Sequence, residues 1–313
     1  MSGADEFSEI ARLFRPLTGG AGGAFDLLDD VAVIRQRPGF DLVVTKDAIV
    51  EGVHFPAGER PDLVARKLLR VNLSDLAAKA AEPFACFLAV AWPEAFAGAE
   101  REAFAAGLGE DLKAFGVALM GGDTVSTPGP FTASLTALGW VPEGRMVRRA
   151  GACVGDVLAV SGTIGDGALG LLAARGEIED PDGWLADRYR LPNPRLDLRD
   201  SLRGGATAAA DVSDGLVADA GHIAEASGLG LHIDLEALPL SPAARQWLEA
   251  QADRAAALTR LATGGDDYEV VCAANGAAPD GFTAIGEMTA GSALEIRLDG
   301  VRLDVAQGGW RHL

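Results

Sequence analysis

Six aspartates in five short segments flanked by apolar residues carry the chemistry this chain offers. The segments are Leu28-Asp29-Asp30-Val31, Thr45-Lys46-Asp47, Asn72-Leu73-Ser74-Asp75, Gly121-Gly122-Asp123-Thr124 and Asp211-Val212-Ser213-Asp214-Gly215. The acids in question are Asp30, Asp47, Asp75, Asp123, Asp211 and Asp214. Each stands where a hydrophobic run gives way to a turn or helix, so folding would project carboxylates from a rigid scaffold. Carboxylates without enough basic partners suit a hard divalent cation. Mg²⁺ takes oxygen ligands and keeps waters and substrate phosphates in its shell, which makes phosphoryl transfer the first chemistry to consider.

Each segment also has a plainer reading. Asn72, Asp75 and Lys79 fall at i, i+3 and i+7 of a predicted helix and share one face, which is either a ligand face or a solvated face with an Asp75–Lys79 pair. Gly121-Gly122-Asp123-Thr124 follows an apolar strand, and the paired glycines either admit a phosphate or metal to the backbone or form an ordinary turn. In Asp211-Val212-Ser213-Asp214-Gly215, one acid or the serine could cap the following helix, but two acids at one helix entrance exceed what capping requires. Gly165-Asp166-Gly167-Ala168-Leu169-Gly170 satisfies G-x-G-x-x-G after a strand. A dinucleotide site is rejected there, because Glu177 to Asp187 reads as a loop where a second strand ending in an acid is required. His54 is a ligand contact or a satisfied structural histidine, and Trp310 is a stacking surface or a packed tail. Zinc is disfavoured, since four histidines show no H-x-x-x-H pattern and there is no C-x-x-C.

The elements that must position these residues alternate in type. Residues 1 to 140 predict a helix near Glu6 to Phe14, strands near Val31 to Ile34 and Leu42 to Val44, a helix from Leu63 to Ala80, and a strand from Phe84 to Ala91. A helix near Phe104 to Phe115 and strands at Ala118 to Met120 and Phe131 to Gly139 follow. The turn-rich Val141-Pro142-Glu143-Gly144-Arg145 marks a domain boundary, giving domains at 1–142 and 143–313. The second half predicts a strand at Val157 to Val160, helices at Gly167 to Arg175 and Gly215 to Ser227, and strands at Leu231 to Leu235 and Tyr268 to Cys272. The fold class is α/β (α+β) in two domains.

At 313 residues and 49% hydrophobic composition the chain can fill two cores. A net charge of −18 excludes a nucleic-acid partner, though small phosphorylated ligands remain open through metals and local cations among Lys46, Lys79, Arg145, Arg148 and Arg149. Three separated cysteines, Cys86, Cys153 and Cys272, read as buried free thiols in a reducing compartment. With an acidic N-terminus and no apolar run of membrane-spanning length, the sequence predicts a cytoplasmic protein without a membrane partner.

Laid in order, these segments resemble the thiamine-monophosphate kinases of the aminoimidazole ribonucleotide synthetase-like superfamily. The carriers are Glu6-Phe7 with Ile10, Asp29-Asp30-Val31-Ala32-Val33, Thr45-Lys46-Asp47 with Val53-His54-Phe55, Val71 to Ala78, Gly121 to Thr124, Asp211 to Leu216 and Gly264-Gly265-Asp266-Asp267-Tyr268-Glu269. The resemblance implies a two-domain architecture, each domain a mixed sheet covered by helices, and transfer of the ATP γ-phosphoryl group to thiamine monophosphate at several Mg²⁺ ions. It implies Asp30, Thr45, Asp47, Asp75, Asp123, Asp211 and Asp214 as metal ligands. Gly122, Asp123, Arg149 and Ser213 then match nucleotide contacts, and His54, Asp266 and Trp310 match substrate contacts. It also implies a homodimer formed through paired N-terminal domains.

Three departures stand out: Phe25-Asp26-Leu27-Leu28 where relatives commonly place a glycine before the acid pair, Lys46 in place of a hydroxyl residue, and Asp266 in place of a frequent glutamate. The rival readings are a sister ATP-dependent enzyme acting on another acceptor, of ribonucleotide cyclo-ligase or selenophosphate synthetase type, and a non-catalytic Mg²⁺-nucleotide-binding protein. The glycine-rich Thr18 to Ala24 segment carries no cysteine, against the selenophosphate synthetase type.

Overall fold

The computed structural model describes residues 6–305 and 308–310; Asp5 and the tail from Arg311 lie outside the described residues. The chain divides into two compact units, residues up to Leu76 with Ala81–Gly144, and Ala77–Ala80 with the chain from Arg145 onward.

In the first unit, α1 (Glu6–Glu9) runs into a π turn at Ile10–Phe14 and two 3₁₀ segments. There follow β1 (Phe40–Val50), α2 (Pro61–Ala78), β2 (Glu82–Pro93), α3 (Gly98–Phe115), β3 (Ala118–Thr127) and β4 (Thr132–Pro142). The sheet order is β1-β4-β2-β3, with only β2 and β3 parallel. Pro61 at the first helical position and Asp62 in the first turn start α2. Its Leu68, Leu69, Leu73 and Leu76 are fully buried, each contributing about 1.5–3 kcal/mol over exposure. The buried Asp111 of α3 accepts Arg66 Nε at 3.1 Å and Arg70 Nε at 2.5 Å, which locks the roll of α2 against α3. A cluster of Trp92, Phe104 and Phe131 fills the space between helices and sheet.

Residues 31–34 form no strand, contrary to the expectation from their alternating apolar pattern. Val33 N donates to the Gly23 carbonyl at 2.9 Å, so the segment pairs with a 3₁₀ turn instead of a ladder, and Val31 and Val33 stay exposed. β3 extends beyond the expected Met120, so Gly121-Gly122-Asp123-Thr124 lies within a strand and is not a turn.

The second unit carries β5 (Val157–Ser161), α4 (Asp166–Ala174), α5 (Trp184–Arg190), α6 (Arg199–Gly205), β6 (Ala206–Asp211), α7 (Leu216–Ser227), β7 (Gly230–Asp234), α8 (Pro242–Glu249), α9 (Arg254–Thr263), β8 (Val270–Ala274), β9 (Phe282–Thr289), β10 (Leu294–Leu298) and β11 (Val301–Leu303). Its sheet runs β11-β10-β7-β9-β5-β8-β6, mostly antiparallel with a parallel β7–β10 pair. Leu216, Ala220 and Ile223 of α7 pack with Leu158, Leu231 and Val271 on one face of that sheet, and Ala159, Ala209 and Cys272 pack on the other. β6 was legible only as an alanine-rich run, because alanine has no strand signature of its own. Cys86 and Cys272 are buried free thiols, whereas Cys153 is exposed, which corrects the expectation for that residue. Among the described residues no helix is long and apolar enough to cross a membrane.

Candidate functional site

The first unit gathers a cluster of predicted residues from one face of β1 and the last turns of α2. Asn72 is fully buried, donates to the Leu68 carbonyl at 2.9 Å and accepts the Asp47 amide at 3.1 Å. This side chain joins helix to strand and fixes the height of Asp47. One turn on, Asp75 Oδ2 accepts Thr45 Oγ1 at 2.5 Å, so Thr45, Asp47 and Asp75 stand together. Ser134 Oγ of the neighbouring β4 donates to the Asp47 carbonyl at 3.1 Å. Lys46 points to the opposite face by strand alternation, so this departure leaves the Thr45–Asp47 face unchanged. Lys79 lies past the end of α2, and its Nζ donates to the Ala209 carbonyl at 2.6 Å.

His54 Nδ1 accepts the Val50 amide at 3.0 Å, while its own amide returns to the Val50 carbonyl at 2.9 Å. A ring nitrogen that accepts an amide carries no proton, so the ring holds its hydrogen on Nε2. Gly122 is required by its neighbour: a Cβ there would lie 1.9 Å from the Leu88 carbonyl oxygen across the β2–β3 pair. A register shift lies just before this pair, at Cys86/Phe87. Asp123 is exposed and accepts its neighbour Thr124's amide at 2.9 Å, and by register it pairs with Ala89, on the face of the sheet opposite Thr45 and Asp47. Asp30 is exposed in the irregular segment. Just before it, Phe25, Asp26 and Leu27 take φ values of 50°, 54° and 55°, the left-handed region that a glycine would enter freely. The Asp26 carbonyl takes Arg15 Nε at 3.0 Å, which ties that turn down.

In the second unit, three predicted segments converge on one loop. Asp211 ends β6 opposite Val270, largely buried, and the loop after it turns into α7. Asp266 N donates to the Ser213 carbonyl at 2.9 Å, Tyr268 N to the Val212 carbonyl at 2.8 Å and Trp310 N to the Asp214 carbonyl at 2.9 Å. A Cβ on Gly265 would meet the Ser213 carbonyl oxygen at 2.4 Å, and one on Gly309 the Asp214 carbonyl oxygen at 2.6 Å, so both close approaches need glycine. Trp310 is itself half-exposed. Arg149 is exposed; its charge acts on His222, as does that of Asp214.

Three acceptors were not assigned roles by the sequence. Asp219, almost fully buried, receives the amides of Ser213, Asp214 and Gly215 on one oxygen at 3.0, 3.0 and 3.2 Å. His222 Nδ1 stands 3.6 Å from its other oxygen, and this partner holds the imidazole above its usual range. Asp267 receives Gly165 N and Gly167 N, both at 2.8 Å, at the start of α4. Burial pushes its carboxyl up to about 8 against those two amides. Glu269 accepts Ser161 Oγ at 2.6 Å, Arg195 Nη1 at 2.7 Å and Arg188 Nη2 at 3.3 Å. The G-x-G-x-x-G turn is thus filled by the chain's own carboxylate, in keeping with the rejection of a dinucleotide there. A signal for Asp219 existed: it is an acid among the apolar positions of Leu216-Val217-Ala218 and Ala220.

Among the described residues, no three His, Cys, Asp or Glu side chains come close enough together to hold a metal ion. The donors on offer are carboxylate and hydroxyl oxygens, the set a hard divalent cation takes.

Residues 28–141 match the family described as AIR synthase related protein, N-terminal domain, and residues 154–299 match its C-terminal domain. A thiamine-monophosphate kinase of Caulobacter vibrioides is 55% identical over 318 aligned residues, spanning 98% of this chain and 90% of its own. The crystal structure of a thiamine-monophosphate kinase from Stenotrophomonas maltophilia superposes with a TM-score of 0.78 at 38% identity, over 88% of this chain and 91% of that one. AaThiL complexed with AMPPCP and TMP superposes at 0.79 and 30% identity, over 89% of each chain.

Proposed function

The chain belongs to the AIR synthase related family and, within it, to the thiamine-monophosphate kinases, and from that membership we propose that it transfers the γ-phosphoryl group of ATP to the phosphate of thiamine monophosphate, giving thiamine diphosphate. The observation that carries the reading in this chain is that two helix starts in the second unit, those of α4 and α7, are already filled. Asp219 takes the amides of Ser213 to Gly215, and Asp267 those of Gly165 and Gly167. Places where a phosphate would otherwise dock hold resident side-chain carboxyl groups, so the nucleotide phosphates are left to be received through cations on the remaining acids.

Thr45, Asp47 and Asp75, with Asp123 on the other face of the first sheet and Asp30 in the segment before it, all of the domain at 1–142, and Asp211 and Asp214 of the domain at 143–313 would hold several Mg²⁺ ions. Bound there, Mg²⁺ would neutralise charge on the phosphates of donor and acceptor. Gly122, Asp123, Arg149 and Ser213 contact the nucleotide, and His54, Asp266 and Trp310 contact the thiamine substrate. The acceptor is a phosphate monoester, already an oxyanion near neutral pH, so no side chain needs to act as a strong general base. The residues hold two anions in line and exclude water, and transfer is direct, without a phosphoenzyme. Trapping of a phosphorylated side chain in rapid-quench labelling would overturn that last step.

The protein works as a homodimer in the cytoplasm. Support for the dimer comes from the face of the first sheet that carries Leu42, Val44 and Val125, large apolar residues with relative exposures of 41%, 56% and 52%. Such a run on an edge strand and the strand at the far edge is a surface a second copy would cover. Support for the compartment comes from the free Cys86, Cys153 and Cys272. The function is tested by ADP release from MgATP with thiamine monophosphate, beside thiamine, formylglycinamidine ribonucleotide and selenide. Turnover with thiamine monophosphate alone, lost in EDTA, is expected; turnover only with another acceptor would reassign the substrate.

A further inference from the structure

We propose that Asp219 is the positioning residue of the second unit's cluster, the group that holds Ser213, Asp214, Asp266 and Trp310 in one arrangement. Asp219 sits in the first turn of α7 and is 3% exposed. An ordinary N-cap lies before its helix and accepts one amide, as Ser241 accepts Ala244 N and Asp253 accepts Ala256 N in this chain. Asp219 does something different. Lying inside its helix, it reaches back four to six residues and gathers three consecutive amides, those of Ser213, Asp214 and Gly215, onto Oδ2. Its Oδ1 faces His222 at 3.6 Å.

The consequence is geometric. Three N–H groups aimed at one point wrap the loop around it and turn the Ser213 and Asp214 carbonyls away, where they accept Asp266 N and Trp310 N, both at 2.9 Å. The backbone at Gly215, with φ 127° and a Cβ position 2.6 Å from the Thr263 carbonyl oxygen, closes the wrap from the other side. One buried oxygen that takes three amides thereby fixes the loop that the proposed nucleotide, metal and substrate contacts share. This inference rests on the phosphotransferase reading above.

The test is calorimetric binding of AMPPCP with Mg²⁺, in the absence of acceptor, beside KM for ATP and the melting temperature. For Asp219→Ala, affinity per folded molecule is expected to fall at least tenfold with a parallel rise in KM. Asp219→Asn, which keeps an acceptor oxygen, is expected to recover it to within about threefold of wild type. Asp253→Ala serves as the purely structural comparison, losing melting temperature with unchanged affinity. If Asp219→Ala does not fold, Asp219→Glu, which displaces the oxygen by one methylene, should show the same tenfold loss in a folded protein. Wild-type affinity in folded Asp219→Ala or Asp219→Glu would overturn the inference while leaving the kinase reading intact. Failure of the wild-type chain itself to bind AMPPCP or to turn over thiamine monophosphate would overturn both.

Discussion

Single side chains in this protein separate into those that expose oxygen and those that consume backbone donors. Asp75 belongs to the first kind, and its contact to Thr45 Oγ1 at 2.5 Å needs only an acceptor atom. Asp75→Asn keeps that acceptor and the packed volume, so turnover should be abolished while the melting temperature stays within about 4 °C of wild type. Equal loss of structure and activity in a thermal scan would return Asp75 to a merely structural role. Asp267 belongs to the second kind. Its carboxyl is held at about 8 by burial, with Asp166 adding to the rise and the Gly165 and Gly167 amides and Arg188 opposing it. The folded state therefore binds a proton that the unfolded chain releases near pH 4, and stability falls as pH rises through the folded value. The contribution is fully present below about pH 4 and lost by about pH 8. Urea unfolding from pH 5 to 8 should show the advantage of wild type over Asp267→Asn shrinking as pH rises; a difference constant across that window would refute it.

Elements act here as rulers that set where an acid can stand. Asn72 and Asp75 lie one turn apart on α2 and reach Asp47 and Thr45 two residues apart on β1, so helix rise and strand rise meet at this pair of contacts. The roll of α2 is set at its other side by Arg66 and Arg70 on Asp111. β3 is placed by backbone proximity to β2, which leaves no room for a side chain at Gly122. Gly122→Ala should therefore cost about 1–3 kcal/mol or more and move Asp123. Gly98→Ala, in the first turn of α3 with nothing within 4 Å, should be neutral or stabilising by about 0.5–1 kcal/mol. Chemical denaturation of the two variants side by side checks the contrast, and equal stabilities would show that β3 can yield.

At the scale of the whole molecule, each unit has its own core and carries its own set of the predicted acids. The first sheet keeps Leu42, Val44 and Val125 exposed, which an isolated unit gains nothing from doing. Val44→Glu should convert the dimer to monomer in analytical ultracentrifugation without lowering the helix content of the chain. A wild-type protein that sediments as a monomer at micromolar concentration would remove the dimer from the functional reading.

The sequence by itself determined the two-part α/β plan and the acids, because periodicity, apolar runs and acid-bearing motifs are local properties of a chain. Asp211-Val212-Ser213-Asp214-Gly215 was legible in this way, as was the helix carrying Asn72 and Asp75. What only the tertiary structure decided are the partners. Asp219, Asp267 and Glu269 became acceptors because folding brought distant amides, hydroxyls and guanidinium groups to them, as with Asp267 and Gly165, 102 residues apart. Residues 31–34 form no strand and Val33 N takes the Gly23 carbonyl, and Gly122 must be glycine because Leu88 lies against it. A backbone donor takes whichever acceptor the fold delivers, and no spacing along the chain records that choice.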